Sequence, residues 1–223
     1  DGVTTSYGYD ANGNRTSITV GSASPVTATY DAQDRIQVYG SVTYEHDAHG
    51  DLALRTEGTQ SLATKYDELG NLMKVTITDG TTTKTIEYVV DGLGRRVGRQ
   101  VNGAFDRAWL YSDALRPAAE IDSAGVFTHF VYASNDPLSG APVALIRAGV
   151  LYRVVTDHLG SVRLVVNAQT GAVAQSIDYD AFGRVSSETG AGFQPFGFAG
   201  GLYDADTKLV RFGARDYDPE TGR

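Results

Sequence analysis

Cysteine is absent from the 223 residues. Disulfides, thiolate nucleophiles and zinc or iron–sulfur centres built on Cys are thereby excluded. The compartment stays open, because a repeat protein can rely on sheet packing alone. Basic residues are in deficit, 19 against 27 acidic ones, for a net charge of -8. That balance argues against a nucleic-acid partner, whose binding needs a basic patch. No apolar run approaches the roughly 18 residues of a membrane-spanning helix, so no membrane span is expected, and no charged-apolar-small leader opens the chain. Also missing is any capped apolar stripe of helical period.

What the chain has instead is a phrase that returns: Tyr9-Asp10-Ala11-Asn12-Gly13-Asn14, Tyr66-Asp67-Glu68-Leu69-Gly70-Asn71 and Tyr179-Asp180-Ala181-Phe182-Gly183-Arg184. Looser copies begin at Tyr30, His46 and Val90, so that Asp10, Asp31, Asp47, Asp67 and Asp91 follow one another at steps of 21, 16, 20 and 24 residues. A period near twenty residues marks a stacked, repetitive architecture.

The residue types say what each copy does. An Asp after a strand-ending Tyr can accept backbone N–H groups two residues on, and Gly three positions later takes positive φ at little cost. Asp10 with Gly13, Asp67 with Gly70, Asp91 with Gly94 and Asp180 with Gly183 therefore read as structural turn pairs. Between them lie strands: Met73, Val75 and Ile77 alternate with Lys74, Thr76 and Thr78, and Ile86 and Tyr88 with Thr85 and Glu87. Later, Tyr152–Thr156, the turn Asp157–Gly160 and Ser161–Val166 repeat the pattern. The 26 Gly and 13 Tyr suit many tight turns joined by aromatic-rich strands. The fold class is all-β, made of repeated antiparallel β-hairpins.

Several constellations invite chemistry and are better read as structure. Asp157, His158 and Ser161 are triad residue types, but they lie within five residues, where a turn accounts for them. His46 and His49 with Asp47 and Asp51 lack further zinc ligands. Asp10–Asn14 lacks the later acidic ligand of a calcium loop. No metal or cofactor is expected. Tyrosines 9, 30, 44, 66, 88, 132, 152 and 179 recur with the repeat, which favours a packing ladder with hydroxyls at the water boundary over a glycan surface.

The Tyr-Asp phrases resemble the YD repeats of RHS (rearrangement hot spot) proteins, and Asp157-His158-Leu159-Gly160-Ser161-Val162-Arg163 resembles a motif near their C-terminal core. Phe196-Gly197-Phe198-Ala199-Gly200-Gly201-Leu202-Tyr203-Asp204, with Phe212 through Arg223, resembles the RHS-associated core. The resemblance implies YD/RHS repeats over 1–150 and a core region over 151–223, cut short at its C-terminal end. It implies a spiral, hollow β-shell like those of Tc toxin C subunits and teneurins. In the bacterial toxins that shell encapsulates a C-terminal toxin domain in cis, on an exported protein. The other implied role is a surface adhesion module that binds glycans or a neighbouring cell. A secretion apparatus or a cell-surface glycan is a further implied partner. If the inward face carries the acidic excess, it suits a basic guest.

The associated core commonly acts as an aspartyl autoprotease, in which paired carboxylates share a proton. Matching the tail places Asp204 on the first catalytic Asp, while the family's second Asp is expected beyond Arg223. The fragment itself is then expected to be inactive. Tyr203 stands where the family often has Arg, removing a cation beside Asp204. Asp204 is equally explained as the cap of the turn into Thr207-Lys208-Leu209. Asp206, Asp216 and Asp218 read as turn or strand-end residues.

Overall fold

A computed structural model describes residues 2–133 and 140–223. The all-β expectation holds: one three-residue 3-10 turn, Phe198–Gly200, is the sole helical element among the described residues. The chain divides into two compact units, Asp1–Thr85 and Ile86–Arg223. The expected boundary at 150/151 falls inside the strand Val150–Thr156.

The first unit holds β1 (Thr5–Tyr9), β2 (Arg15–Val20), β3 (Val26–Tyr30), β4 (Ile36–Tyr39), β5 (Val42–His46), β6 (Leu52–Glu57), β7 (Gln60–Tyr66) and β8 (Leu72–Asp79). Each pairs antiparallel with the next in sequence. Ala28, Ile36, Val42 and Tyr44 form its small core. The division between the units falls inside β9 (Thr82–Val90).

The second unit continues with β10 (Arg96–Val101), β11 (Ala104–Tyr111), β12 (Pro117–Asp122), β13 (Phe127–Val131), β14 (Ala144–Arg147), β15 (Val150–Thr156), β16 (Val162–Asn167), β17 (Val173–Tyr179) and β18 (Val185–Thr189). Antiparallel neighbours again follow chain order from β9 to β18. A tail then adds a three-stranded sheet of β19 (Leu202–Tyr203), β20 (Val210–Phe212) and β21 (Arg215–Tyr217).

Consecutive antiparallel pairing puts the corners at Asp10, Asp31, Asp47 and Asp67 along one sheet edge of the first unit and those at Asp91, Asp113, Asp157 and Asp180 along one edge of the second, while short hairpins, and one more Asp-capped turn at Asp122, lie along the other edge. At the Asp edge the side chain organises the loop. Asp67 Oδ1 accepts the N–H groups of Leu69 (2.9 Å) and Asn71 (2.8 Å), and Oδ2 accepts Asn71 Nδ2 (2.9 Å). Asp10 does the same with Asn12 and Asn14, Asp91 with Leu93 and Arg95, and Asp180 with Phe182 and Arg184. In the 31–35 copy Asp34 replaces the glycine and still adopts φ 61°. The opposite edge uses two-residue turns with both φ positive, as at Asn102-Gly103 and Ala148-Gly149, which match the strand twist.

Among the described residues, each of the Asp corners at 10, 31, 47, 67, 91, 113, 157 and 180 is followed by a β-bulge. Tyr66 pairs with Leu72 but Lys65 pairs with Lys74, leaving Met73 as the extra residue. The same skip follows Tyr9, Tyr30, His46, Val90, Tyr111, Thr156 and Tyr179. This corrects the simple alternation read from the sequence. Leu72 and Val75, three apart, are both fully buried, while Met73 and Ile77 are half-buried, because a bulge shifts the side-chain alternation. Val162 and Val165 repeat the pattern after Thr156.

The tyrosines also differ from the ladder expectation. The hydroxyls of Tyr30, Tyr111 and Tyr132 each donate to a carbonyl fifteen residues back, on Arg15, Arg96 and Pro117, at the start of the preceding strand. Guanidinium groups cover several rings: Arg95 lies 5.1 Å from the Tyr111 centroid and Arg116 5.0 Å from that of Tyr132. Tyr9, in contrast, is largely exposed.

The tail lies over one face and the Asp edge of the second unit. Phe196 meets Phe130 edge-on at 4.8 Å and joins a core of Trp109, Leu145, Val162 and Val165. At the edge, Val162 N–H donates to the Gly197 carbonyl, and Tyr217 O–H donates to that of Phe182. Phe198 sits directly on Gly183, where an added Cβ would come within 2.2 Å of the ring.

Gly70 and Gly183 therefore separate two demands on the same turn. Both have positive φ, 78° and 89°, but space over Gly70 is open. Gly70→Ala is expected to cost about 1 kcal/mol for the left-handed backbone. Gly183→Ala is expected to cost a further ~2 kcal/mol by displacing Phe198. Urea unfolding of both variants measures the difference.

Candidate functional site

Asp204 follows β19 and turns the chain toward β20. Its backbone N–H donates to the Leu209 carbonyl and its own carbonyl accepts Lys208 N–H, with Lys208 at φ 64°. Its side chain caps the loop: Oδ1 accepts the N–H groups of Asp206 (2.9 Å) and Thr207 (3.2 Å). To that extent the turn-cap reading describes the geometry.

The same carboxylate also reaches the main sheet. Arg99, on β10, donates through Nε to Oδ2 at 2.8 Å and through Nη2 to Oδ1 at 3.2 Å. The Tyr88 hydroxyl on β9 donates to Oδ2 at 2.6 Å. Asp204 is 6% exposed. An ionised carboxylate has about four lone-pair sites, and the donors just named occupy them all, leaving none for a water nucleophile.

Arg99 is the hub of this cluster. Its Nη1 donates to Asp106 on β11 (2.6 Å), and Nη2 also binds Asp206. Arg99 thus supplies the cation that Tyr203 does not. Burial pushes the Asp204 carboxyl up. The Arg99 charge and hydrogen bonds from Arg99, Tyr88 and Thr207 outweigh burial and hold it below the usual range. Burial, with the Asp204 charge, pushes the Tyr88 hydroxyl well above its ordinary value. Asp204 is therefore a fixed anion.

A second anchor lies beside it. Asp216 on β21 binds Arg96 (2.9 Å) and Arg211 (2.7 Å), with all three nearly inaccessible. Arg96 stacks 3.5 Å above the Tyr88 ring. The strand-end description of Asp216 thus gives way to that of a buried ion-pair anchor. Asp218 caps its own turn through Glu220 N–H and the Thr221 hydroxyl.

A cavity of about 190 Å³ opens next to the cluster, with Asp106, Asp204, Asp206, Trp109 and Tyr203 among its walls. Gln194 and Gln175 form another wall, hydrogen-bonded to each other at 3.0 Å, and Gln175 donates to Glu188 at 2.9 Å. The space is bordered by four carboxylates, Asp106, Glu188, Asp204 and Asp206, and by the guanidinium groups of Arg96, Arg99 and Arg107.

Other sequence candidates are not assembled into sites. Asp157 accepts the N–H groups of Leu159 and Ser161, and the buried Ser161 hydroxyl accepts Ala199 N–H, while His158 is exposed. No metal-competent cluster of His, Asp and Glu occurs among the described residues. Sequence reasoning missed Arg99 and read Tyr88 only as a member of the tyrosine ladder. The available signal was three arginines, 95, 96 and 99, at the start of one strand in an acidic chain. Such cations imply waiting carboxylates.

An all-β meander with Asp-capped corners and an Arg-clamped glycine-rich tail defines a YD-repeat shell protein. The family described as Teneurin YD-shell matches residues 1–223, and the chain belongs to that family. It is 34% identical over 224 residues to Teneurin-1 of Gallus gallus and 33% identical to Teneurin-4 of Homo sapiens. In each case 97% of this chain and 8% of the relative are covered. It is 28% identical to Double-stranded DNA deaminase toxin A of Burkholderia cenocepacia (strain H111), across 97% of this chain and 17% of that protein. The chain thus spans only a small part of these relatives. The TcdB2-TccC3 crystal structure matches its fold with a TM-score of 0.72 at 21% identity, over 99% of this chain and 12% of that one. The Photorhabdus luminescens Tc holotoxin pore matches with the same TM-score at 19% identity.

Arg99→Met is expected to destabilise the second unit by about 3–5 kcal/mol, because it leaves buried Asp204 uncompensated. Because the Asp204 value is depressed, its contribution is fully present above the ordinary carboxylate value of 3.8 and is lost as pH falls through the lower folded value. The clamp therefore holds at pH 5. Unfolding curves between pH 2 and 6 for wild type and Asp204→Asn measure this; the difference between them is expected to shrink only below about pH 4.

Proposed function

We propose that this chain is a segment of a shell that encloses and presents a toxin domain carried C-terminally on the same exported polypeptide. The carrying observation is the match to the deaminase toxin, which uses nearly all of this chain and a small share of that protein. The tail supports it: residues 193–217 are fastened to the sheet through buried ion pairs as well as apolar packing, as a closure needs to be. Region 151–223 is read here as the associated core and the preceding residues as repeats. No helix among the described residues is long and apolar enough to cross a membrane.

Release of the toxin by aspartyl autoproteolysis assigns Asp204 the ionised role in a carboxylate pair. Its proton-carrying partner would come from the segment that follows Arg223 in the parent. Before Asp204 can accept a proton from water, Tyr88 or Arg99 has to yield a lone pair on it. A partner carboxylate arriving at the cavity competes for Arg99 and provides that exchange. In the chain as it stands, Asp204 acts as a clamp.

The adhesion reading keeps one specific support, the higher identity to teneurins than to the deaminase toxin. One experiment separates the two. The parent protein, extended past Arg223 to its natural end, is run under denaturing conditions beside Asp204→Asn and Asp206→Asn. Wild type and Asp206→Asn in two pieces with Asp204→Asn intact supports the self-releasing shell. A single uncut wild-type band removes autoproteolysis and shifts the weight to adhesion.

A further inference from the structure

We propose that Glu120 is a proton-uptake site through which mild acidification tightens the hold of Arg99 on the tail. The inference does not require Asp204 to be catalytic. Glu120 lies on β12 and is 2% exposed. Its Oε2 accepts the Trp109 indole N–H at 2.9 Å and faces Arg107 Nη1 at 3.6 Å. Asp204 and Asp216, by comparison, each have two or more charged or hydroxyl donors within 3.2 Å. Glu120 is thus a buried carboxylate with one neutral donor and one distant cation, an arrangement that favours the protonated form.

The charged surroundings agree. Arg107 on β11 is shared with Asp106, and Arg147 on β14 is committed to Asp122 and to the Thr128 hydroxyl. Burial pushes the Glu120 carboxyl up, and Asp122 adds to the rise, against the opposing effects of Arg107, Trp109 and Arg147.

The link to the tail runs through one atom. Asp106 Oδ2 accepts both Arg107 Nε (2.9 Å) and Arg99 Nη1 (2.6 Å). When Glu120 takes up a proton, its attraction for Arg107 disappears and Arg107 settles fully on Asp106. Asp106 then competes less for Arg99, whose charge turns to Asp204 and Asp206 on the tail. Asp204 stays ionised in this range because Arg99 and Tyr88 hold it low. A raised folded-state value means the folded chain binds the proton first. Stability therefore rises as pH falls from the raised value toward the ordinary glutamic value of 4.5, and levels off below it.

Trp109 is the single tryptophan of the chain and touches the titrating group, so it is a built-in reporter. The 223-residue chain and its Glu120→Gln variant are titrated from pH 8 to 4.5, following Trp109 emission, urea unfolding and hydrogen exchange of residues 202–217. In wild type the emission is expected to titrate with a midpoint above 4.5. The folding constant is expected to gain by up to about tenfold per pH unit in that window, with tail amides becoming better protected. Glu120→Gln is expected to lose all three responses. Asp106→Asn is expected to keep the emission change and lose the tail response, because the shared acceptor is weakened. Flat wild-type emission overturns proton uptake at Glu120 without any variant. A tail response that persists in Glu120→Gln assigns it to another group.

Discussion

The corners at Asp10, Asp31, Asp67, Asp91 and Asp180 each depend on an aspartate that does the work of a backbone turn. One oxygen takes the N–H groups two and four residues on, and the other takes the side chain of the closing Asn or Arg. Five residues can then reverse direction with their polar groups satisfied, and the outgoing strand starts at a defined position. The bulge follows from that start. The corner residue pairs with the first residue of the next strand, and the pairing then skips one. After the corners at Tyr66, Val90, Tyr111 and Thr156 the buried positions consequently include a pair three apart, and local twist increases where the chain bends. The tyrosine hydroxyls add a longer tie, from the end of one strand to the beginning of the strand before it.

Corners of this kind leave one sheet edge studded with glycine and loop carbonyls, and in the second unit the tail uses both. Phe198 needs the missing side chain of Gly183, Arg211 takes the Gly94 carbonyl, and Ser161 receives Ala199 N–H. The glycines of the tail serve the reciprocal purpose. A Cβ on Gly200 would come within 2.5 Å of the Ala141 nitrogen, so the backbones approach more closely than side chains allow.

Buried charge distinguishes the tail's attachment to the sheet from ordinary apolar packing. Ion pairs out of water gain little net stability over apolar replacements, yet breaking one half is costly. That asymmetry favours a single register for the tail. Leu202, Val210 and Phe196 supply apolar burial that tolerates sliding, whereas Arg99, Arg96 and Arg211 donate to their carboxylates in one alignment. The cluster around Arg99 joins β9, β10 and β11 to the tail, so any chemistry at Asp204 is tied to how firmly the tail is held.

The fold class and the position of the corners were legible because their causes are local. Asp67, Gly70 and Asn71 interact within five residues, and such contacts survive as a spacing in the sequence. The period of the phrase then indicates a stacked array. Asp204 could be singled out from the tail motif, but its state could not, because its partners Arg99 and Tyr88 lie 105 and 116 residues away. Similarly, Glu120 is an ordinary strand glutamate until the sheet places Trp109 and Arg107 against it. The sequence by itself determined which residues turn the chain, since turn chemistry is short-range. Only the tertiary structure decided which carboxylates are clamped and which can take up a proton, since burial and distant charges set that balance.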